Sequence, residues 1–167
     1  EEDAGKLVHD DYEGISMADY NRCGVPLIEI VTEPDFRTIE EVQTFVEDIA
    51  LRLKYAGVCD ARLEQGSLRV DVNISIMPDG SDTFGTRAEI KNLNSVKAIV
   101  RAIEYEISRQ AEILDAGGKV IQETRRFNDN HGDTKALRSK EEAHDYRYFP
   151  EPDIPPVYLS DNDIETI

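Results

Sequence analysis

From Ser67 to Ile76 the chain alternates apolar and polar residues without a break, with Leu68, Val70, Val72, Ile74 and Ile76 at even numbers and Arg69, Asp71, Asn73 and Ser75 at odd ones. A period of two is that of a β-strand, so the apolar set belongs on a core face and the polar set on the opposite one. A helix would scatter those apolar residues around its circumference. Met77-Pro78-Asp79-Gly80 supplies turn chemistry. Phe84 to Asn92 then returns as an antiparallel partner, with Arg87, Glu89 and Lys91 on its polar face. A hairpin with one apolar face needs a cover.

Two helices are placed to provide it. Thr38-Ile39-Glu40-Glu41 has the form of a capping box. After it Ile39, Val42, Phe45, Val46, Ile49, Ala50 and Leu53 recur at helical spacing up to Gly57. A second helix begins at Asn94-Ser95 and carries Val96, Ile99, Val100, Ile103, Ile107, Ala111 and Leu114 on one face as far as Gly117-Gly118. Further strands are expected at Val25 to Glu33, at Lys119 to Phe127 and, briefly, at Tyr146 to Phe149, with a turn-rich loop from Asn128 to Thr134 and an extended proline-rich tail from Pro150 to Pro156. The expected class is α+β, a mostly antiparallel sheet covered by helices on one face.

Composition narrows the partners. The length of 167 residues suits one domain and a sizeable core. With 19 Lys plus Arg against 35 Asp plus Glu, the formal charge is −16. A domain that grips nucleic acid by its phosphates normally carries a basic stripe and a high pI; here the sequence pI is near 4.5. Most of the grip on any nucleic acid therefore belongs elsewhere. No run approaches the roughly 18 apolar residues of a membrane span, so no membrane is expected. Cys23 and Cys59 form neither a CxxC pair nor a Cys/His cluster, which argues against zinc or a disulfide framework and suits a reducing compartment. His9, His131 and His144 stand among acids or in loops without the spacing of a nucleophilic triad. Walker and dinucleotide glycine motifs are absent.

The hairpin's polar face is the informative feature. It sets Asp71 and Asn73 on one strand and Glu89 and Lys91 on its neighbour, with strands about 4.8 Å apart. Converging oxygens at such spacing can take a magnesium ion, which favours carboxylates, water and substrate phosphates. Arg69, Arg87 and Lys91 would offset charge on a transferring phosphoryl group. The alternative is the ordinary solvated face of an antiparallel sheet. Glu29, inside Leu27-Ile28-Glu29-Ile30-Val31, is a carboxylate among apolar neighbours, costly to bury unless paired or metal-bound. Glu1-Glu2-Asp3 before Gly5 fits a metal-contacting loop or a solvated acidic end.

Five ordered blocks resemble the B subunit of the aspartyl/glutamyl-tRNA amidotransferase family. They are Glu1 to Lys6 (EEDAGK), Gly24 to Val31 (GVPLIEIV), Glu64 to Asn73 (EQGSLRVDVN), Glu89 to Ser95 (EIKNLNS) and Asp145 to Asp153 (DYRYFPEPD). The resemblance implies a catalytic cradle similar in fold to glutamine synthetase. Residues 1–167 would be its central and C-terminal part, lacking the N-terminal part of the cradle and the C-terminal tRNA-binding domains. The implied reaction uses ATP to phosphorylate the side-chain carboxylate of Glu-tRNA(Gln) or Asp-tRNA(Asn). Ammonia released from glutamine by the A subunit of that complex then displaces the phosphate.

The resemblance also assigns parts. Glu2 and Glu29 are implied metal ligands, with Mg2+ as the ion and Glu2 also on the ammonia route. Asp71 and Glu89 fall where the family's second group of ATP-side and metal-side residues lies. Together with the polar-face reading, Asp71, Glu89, Lys91 and Arg69 are the expected catalytic set, and Asn73 and Arg87 the expected contacts to ATP. The A and C subunits of the amidotransferase and the misacylated tRNA are the implied partners, in the bacterial cytoplasm, with an organelle as the alternative. A further ligating histidine of the family lies upstream of residue 1, so the fragment alone is expected to be inactive. Val70 stands where many members have Cys, and the stretch from Lys6 to Gly24 is slightly longer than usual. Alternative readings are the related archaeal E subunit, a non-catalytic docking domain of the complex, and a stand-alone carboxylate-amine ligase.

Overall fold

The structure, a computed structural model, describes residues 5–10, 14–139 and 155–166. The chain divides into two compact units, Glu1–Arg37 and Thr38–Ile167. The expectations for Glu1 to Asp3, Tyr146 to Phe149 and most of the proline-rich tail fall outside the described residues.

In the first unit β1 (Lys6–Asp10) and β2 (Ile15–Asp19) form an antiparallel hairpin, running from Lys6 opposite Asp19 to Asp10 opposite Ile15. The strand expected at Val25 to Glu33 does not form; an isolated bridge at Pro26 is its one strand-like position. Ile28, Ile30 and Val31 are exposed. An apolar run becomes a strand when a neighbouring edge supplies hydrogen bonds and a face to pack on. Among the described residues of this unit, the regular strand pairing is that of the short hairpin.

The second unit begins with α1 (Ile39–Tyr55). Thr38 is its N-cap: the hydroxyl accepts from the Glu41 amide at 3.2 Å, and the Glu41 carboxylate accepts from the Thr38 amide at 3.0 Å. Such a cap contributes about 1 kcal/mol. The helix stops where Gly57 turns to φ +71°. β3 (Val70–Ile74) and β4 (Ala88–Leu93) form the expected antiparallel hairpin. On the way back, Gly85 lies against the Ile76 carbonyl so closely that any β-carbon would collide with it.

α2 (Val96–Asp115) is capped by Ser95, whose hydroxyl accepts from the Ala98 amide at 3.0 Å. It carries the chain back along the sheet, so β5 (Glu123–Asn128) enters parallel to β4. A parallel pair requires such a crossover. β6 (Asp133–Ser139) then pairs antiparallel with β5. The sheet order is β3-β4-β5-β6, mixed but mostly antiparallel. Half of the loop expected from Asn128 to Thr134 is a tight turn, closed by the Gly132 amide on the Asn128 carbonyl at 2.7 Å. A short α3 (Asp161–Glu165) follows residues without regular structure. No helix of the described residues is long and apolar enough to cross a membrane.

The core lies between the sheet and α2. Ile90, Leu93, Ala98, Ile99, Ala102, Ile103 and Phe127 are buried there, and Val46 of α1 joins them. The predicted face of α2 is rotated: Ile107 and Leu114 are exposed, whereas Glu106 and Gln110 are fully buried. Burying a carboxylate requires partners, and Glu106 has three. Arg109 donates to it twice, at 2.9 and 2.6 Å, Gln110 donates at 2.9 Å, and the Arg125 guanidinium stands 3.7 Å away. The bond from Glu106 raises the Arg109 pKa above its ordinary value despite burial. Arg125 also pairs with Glu123 and donates to Thr134. Gln110 extends β3 with its amide, donating to the Ile74 carbonyl and accepting from the Ile76 amide, both at 3.1 Å.

Candidate functional site

Because α2 covers one face of the sheet, the polar positions of the strands share the other. Asp71 and Asn73 on β3 are exposed, and Glu89 and Lys91 on β4 are half-buried. Asn73 is the register partner of Glu89. Around Asp71 the register shifts: Val70 pairs with Leu93 but Val72 pairs with Ile90, so Lys91 and Asn92 both stand opposite Asp71. This bulge turns on Asn92, which adopts φ +70° and donates its side-chain amide to the Phe127 carbonyl at 3.0 Å. Asparagine tolerates that left-handed conformation better than most residues. Without the bulge, strict alternation after Ile90 would turn Leu93 away from the core face.

The three charged groups form a cluster. The Lys91 ammonium donates to Asp71 Oδ2 at 2.6 Å and lies 3.2 Å from Glu89 Oε1. The other oxygen of Glu89 accepts from the Thr124 hydroxyl at 2.8 Å. Burial works to lower the Lys91 pKa, but the hydrogen bond and charge of Asp71, with those of Glu89, outweigh it and hold the ammonium above the usual lysine value. At neutral pH this lysine is therefore a fixed cation, suited to stabilising negative charge and unsuited to taking a proton.

A raised native pKa means that the stabilisation is complete below the unfolded lysine value, about 10.4, and is lost as pH rises through the native value above it. The difference in urea midpoint between the parent sequence and Lys91→Met should be constant from neutral pH to about pH 9. It should shrink in more alkaline solution. A difference independent of pH across the alkaline range would show that Asp71 and Glu89 do not hold the charged form.

The oxygen donors on this face are the hard kind that magnesium takes, but the ammonium already stands between the two carboxylates. Among the described residues no three His, Cys, Asp or Glu groups converge as a metal site. As folded, this face fits a tethered cation rather than a bound metal. Glu2 lies outside the described residues, and Glu29 is exposed in the first unit. Arg69 and Arg87 are exposed one residue ahead of β3 and β4, which run antiparallel. They therefore flank the cluster from opposite ends. Cys23 and Cys59 are free thiols.

Sequence reasoning missed Thr124, which is buried beside Glu89, and Arg126 and Lys135, which continue the polar face on β5 and β6. The alternation Thr124, Arg126 against Arg125, Phe127 was the available signal on β5. For β6 there was none, since its partner strand supplies the ladder.

The family described as GatB/GatE catalytic domain matches residues 1–165. The B subunit of the aspartyl/glutamyl-tRNA(Asn/Gln) amidotransferase of Ruminiclostridium cellulolyticum is 65% identical over 167 residues, which is 100% of this chain and 34% of that protein. The protein of the same name from Caldicellulosiruptor saccharolyticus is 61% identical over 100% of this chain and 35% of its own length. The one from Geobacter sp. is 59% identical, again over 100% and 35%. The chain spans about a third of the length of the curated relatives it matches.

Proposed function

We propose, from the premise that this chain belongs to the GatB/GatE catalytic domain family, that its open sheet face is where a tRNA-dependent amidotransferase activates a carboxylate and converts it to an amide. The substrate would be the side chain of Glu-tRNA(Gln) or Asp-tRNA(Asn). A carboxylate oxygen attacks the γ-phosphorus of ATP, the bond to the β,γ-bridging oxygen breaks and ADP leaves. Ammonia then attacks the acyl carbon, phosphate departs with its oxygen, and the nitrogen gives up a proton to reach the neutral amide.

The observation that carries this reading is Lys91 held between Asp71 and Glu89 on the sheet face opposite α2. Bringing a carboxylate to a polyphosphate sets like charges together, and a pre-oriented cation lowers that cost more at the transition state than mobile water can. Asp71 and Glu89 orient the ammonium, Thr124 orients Glu89, and Asn73 and Arg87 would contact the nucleotide. Arg69 offsets charge from the other end of the ladder. In this reading Glu2 and Glu29 would hold any Mg2+, which would offset charge on the phosphates. The A and C subunits would supply ammonia and assembly, and segments beyond this chain most of the contact with tRNA, which suits a chain of net charge −16. The bacterial cytoplasm is the proposed place of action.

The test is Asp71→Ala in the complete subunit, assembled with its partners. Glutamine hydrolysis should persist while amidation of Glu-tRNA collapses. Both rates near those of the parent enzyme would return Asp71 to an ordinary solvated strand.

A further inference from the structure

Lys91, Arg126 and Lys135 stand side by side across three strands. Lys91 is the register partner of Arg126, and Arg126 of Lys135. Thr124, two positions before Arg126 on β5, bonds to Glu89 on the open face, so alternation puts Arg126 on that face as well. Both Arg126 and Lys135 are exposed. Two interstrand steps make the row roughly 10 Å long.

Like charges directly opposite one another weaken a ladder. This chain has 35 acidic residues with which to relieve them, and Asp133 stands two positions before Lys135 on the same face, yet among the described residues the ion pairs across this face are those of Lys91 with Asp71 and Glu89. Among the described residues neither Arg126 nor Lys135 is drawn into a side-chain ion pair. A lysine on β6 has a structural explanation, because charged edge strands resist pairing with other chains. That explanation does not reach Arg126, which lies on an interior strand of the sheet.

We propose that the row Lys91, Arg126, Lys135 is a binding site for the phosphate groups of a polyanionic ligand. The planar guanidinium in the middle matches phosphate oxygens with two parallel bonds, and the two ammonium groups act as point charges on either side. The inference deepens the reading above and rests on it for the reacting phosphate beside Lys91. Two sources carry this chemistry, the chain of phosphates of a nucleoside triphosphate and the backbone of an RNA.

The experiment compares the complete subunit, assembled with its partners, with its Arg126→Gln/Lys135→Gln variant by calorimetric titration. The probes are inorganic tripolyphosphate, ATP, adenosine and tRNA. The expected result is a loss of about tenfold or more for a phosphate ligand, with adenosine unchanged and affinity largely kept by Arg126→Lys/Lys135→Arg. Loss for tripolyphosphate and ATP assigns the row to the nucleotide. Loss for tRNA alone, with a salt dependence shallower by about one for each cation removed, assigns it to nucleic-acid phosphates. Unchanged affinity for all the phosphate ligands overturns the proposal and leaves the row as solvated charge. The readouts are binding constants, so they stand apart from the Asp71→Ala result: amidation could survive that change while the row still bound phosphate, and the reverse pair of outcomes is equally visible.

Discussion

Lys91→Met in the complete subunit should lower amidation of Glu-tRNA by about a hundred- to a thousandfold while glutamine hydrolysis continues, the scale seen when one pre-oriented charge-stabilising donor is removed. The substitution keeps most of the volume of the side chain and takes away only the ammonium. Its effect on folding should be modest, because Lys91 is 38% and Asp71 47% exposed at the side chain, pairs so accessible to water contribute at most about 1 kcal/mol, and Glu89, 13% exposed, keeps its bond from Thr124. A large loss of turnover with only a modest drop in urea midpoint therefore separates chemistry from stability. Lys91→Arg should recover part of the rate, since the charge returns with a different geometry. Asp71→Ala combined with Lys91→Met should cost little more than Lys91→Met alone, because the carboxylate acts through the ammonium. An amidation rate within a few-fold of the parent for Lys91→Met would remove the sheet face from the mechanism.

The second large effect is on stability and lies on the opposite face of the sheet. Arg109→Met should destabilise the domain by about 3 kcal/mol, because a fully buried carboxylate loses both of its strongest hydrogen bonds. The remaining partners of Glu106 are the Gln110 amide and the Arg125 guanidinium at 3.7 Å, which keeps the cost toward the lower end of what breaking a buried pair entails. The double substitution Glu106→Leu/Arg109→Met should recover at least half of the loss, since removing both partners eliminates the stranded charge as well as the bond. Urea unfolding of the complete subunit, read on this domain, measures both. A double variant as unstable as the single one would mean that the network holds the helix through geometry that a packed apolar pair cannot reproduce.

These two faces show where sequence reasoning reached and where it stopped. Both long helices were legible to within a residue at their starts, because a cap is a contact between residues three apart and owes nothing to the rest of the fold. Thr38 with Glu41, and Ser95 with the Ala98 amide, are contacts of that kind. The β3–β4 hairpin was legible for a similar reason: period two assigns faces before any partner is known, and the core and open sides of Val70 to Ile74 are as expected. Asp71, Glu89 and Lys91 were consequently placed on one face from their numbers alone.

The run from Val25 to Glu33 failed by the same logic turned round. Its apolar content is strong, but a strand is a relation between two segments, and among the described residues of its own unit it is not taken into the sheet. The rotation of α2 failed differently. Hydrophobic spacing favoured Ile107 and Leu114 for the interior, and the fold chose Glu106 and Gln110, because Arg125 on β5 and the backbone of Ile74 and Ile76 were waiting to satisfy them.

The sequence by itself thus determined the local features of this protein: two capped helices, a hairpin with one apolar face, and a set of acids and bases confined to the other. Only the tertiary structure decided that Lys91 stands between Asp71 and Glu89, that β5 enters parallel so that Arg126 falls beside Lys91, and that β6 brings Lys135 to the end of the same row. The physical reason is range. Caps and alternation are set by bonds within a few residues, whereas strand order, register and the partners of a buried charge are set by surfaces that meet only when the chain has folded.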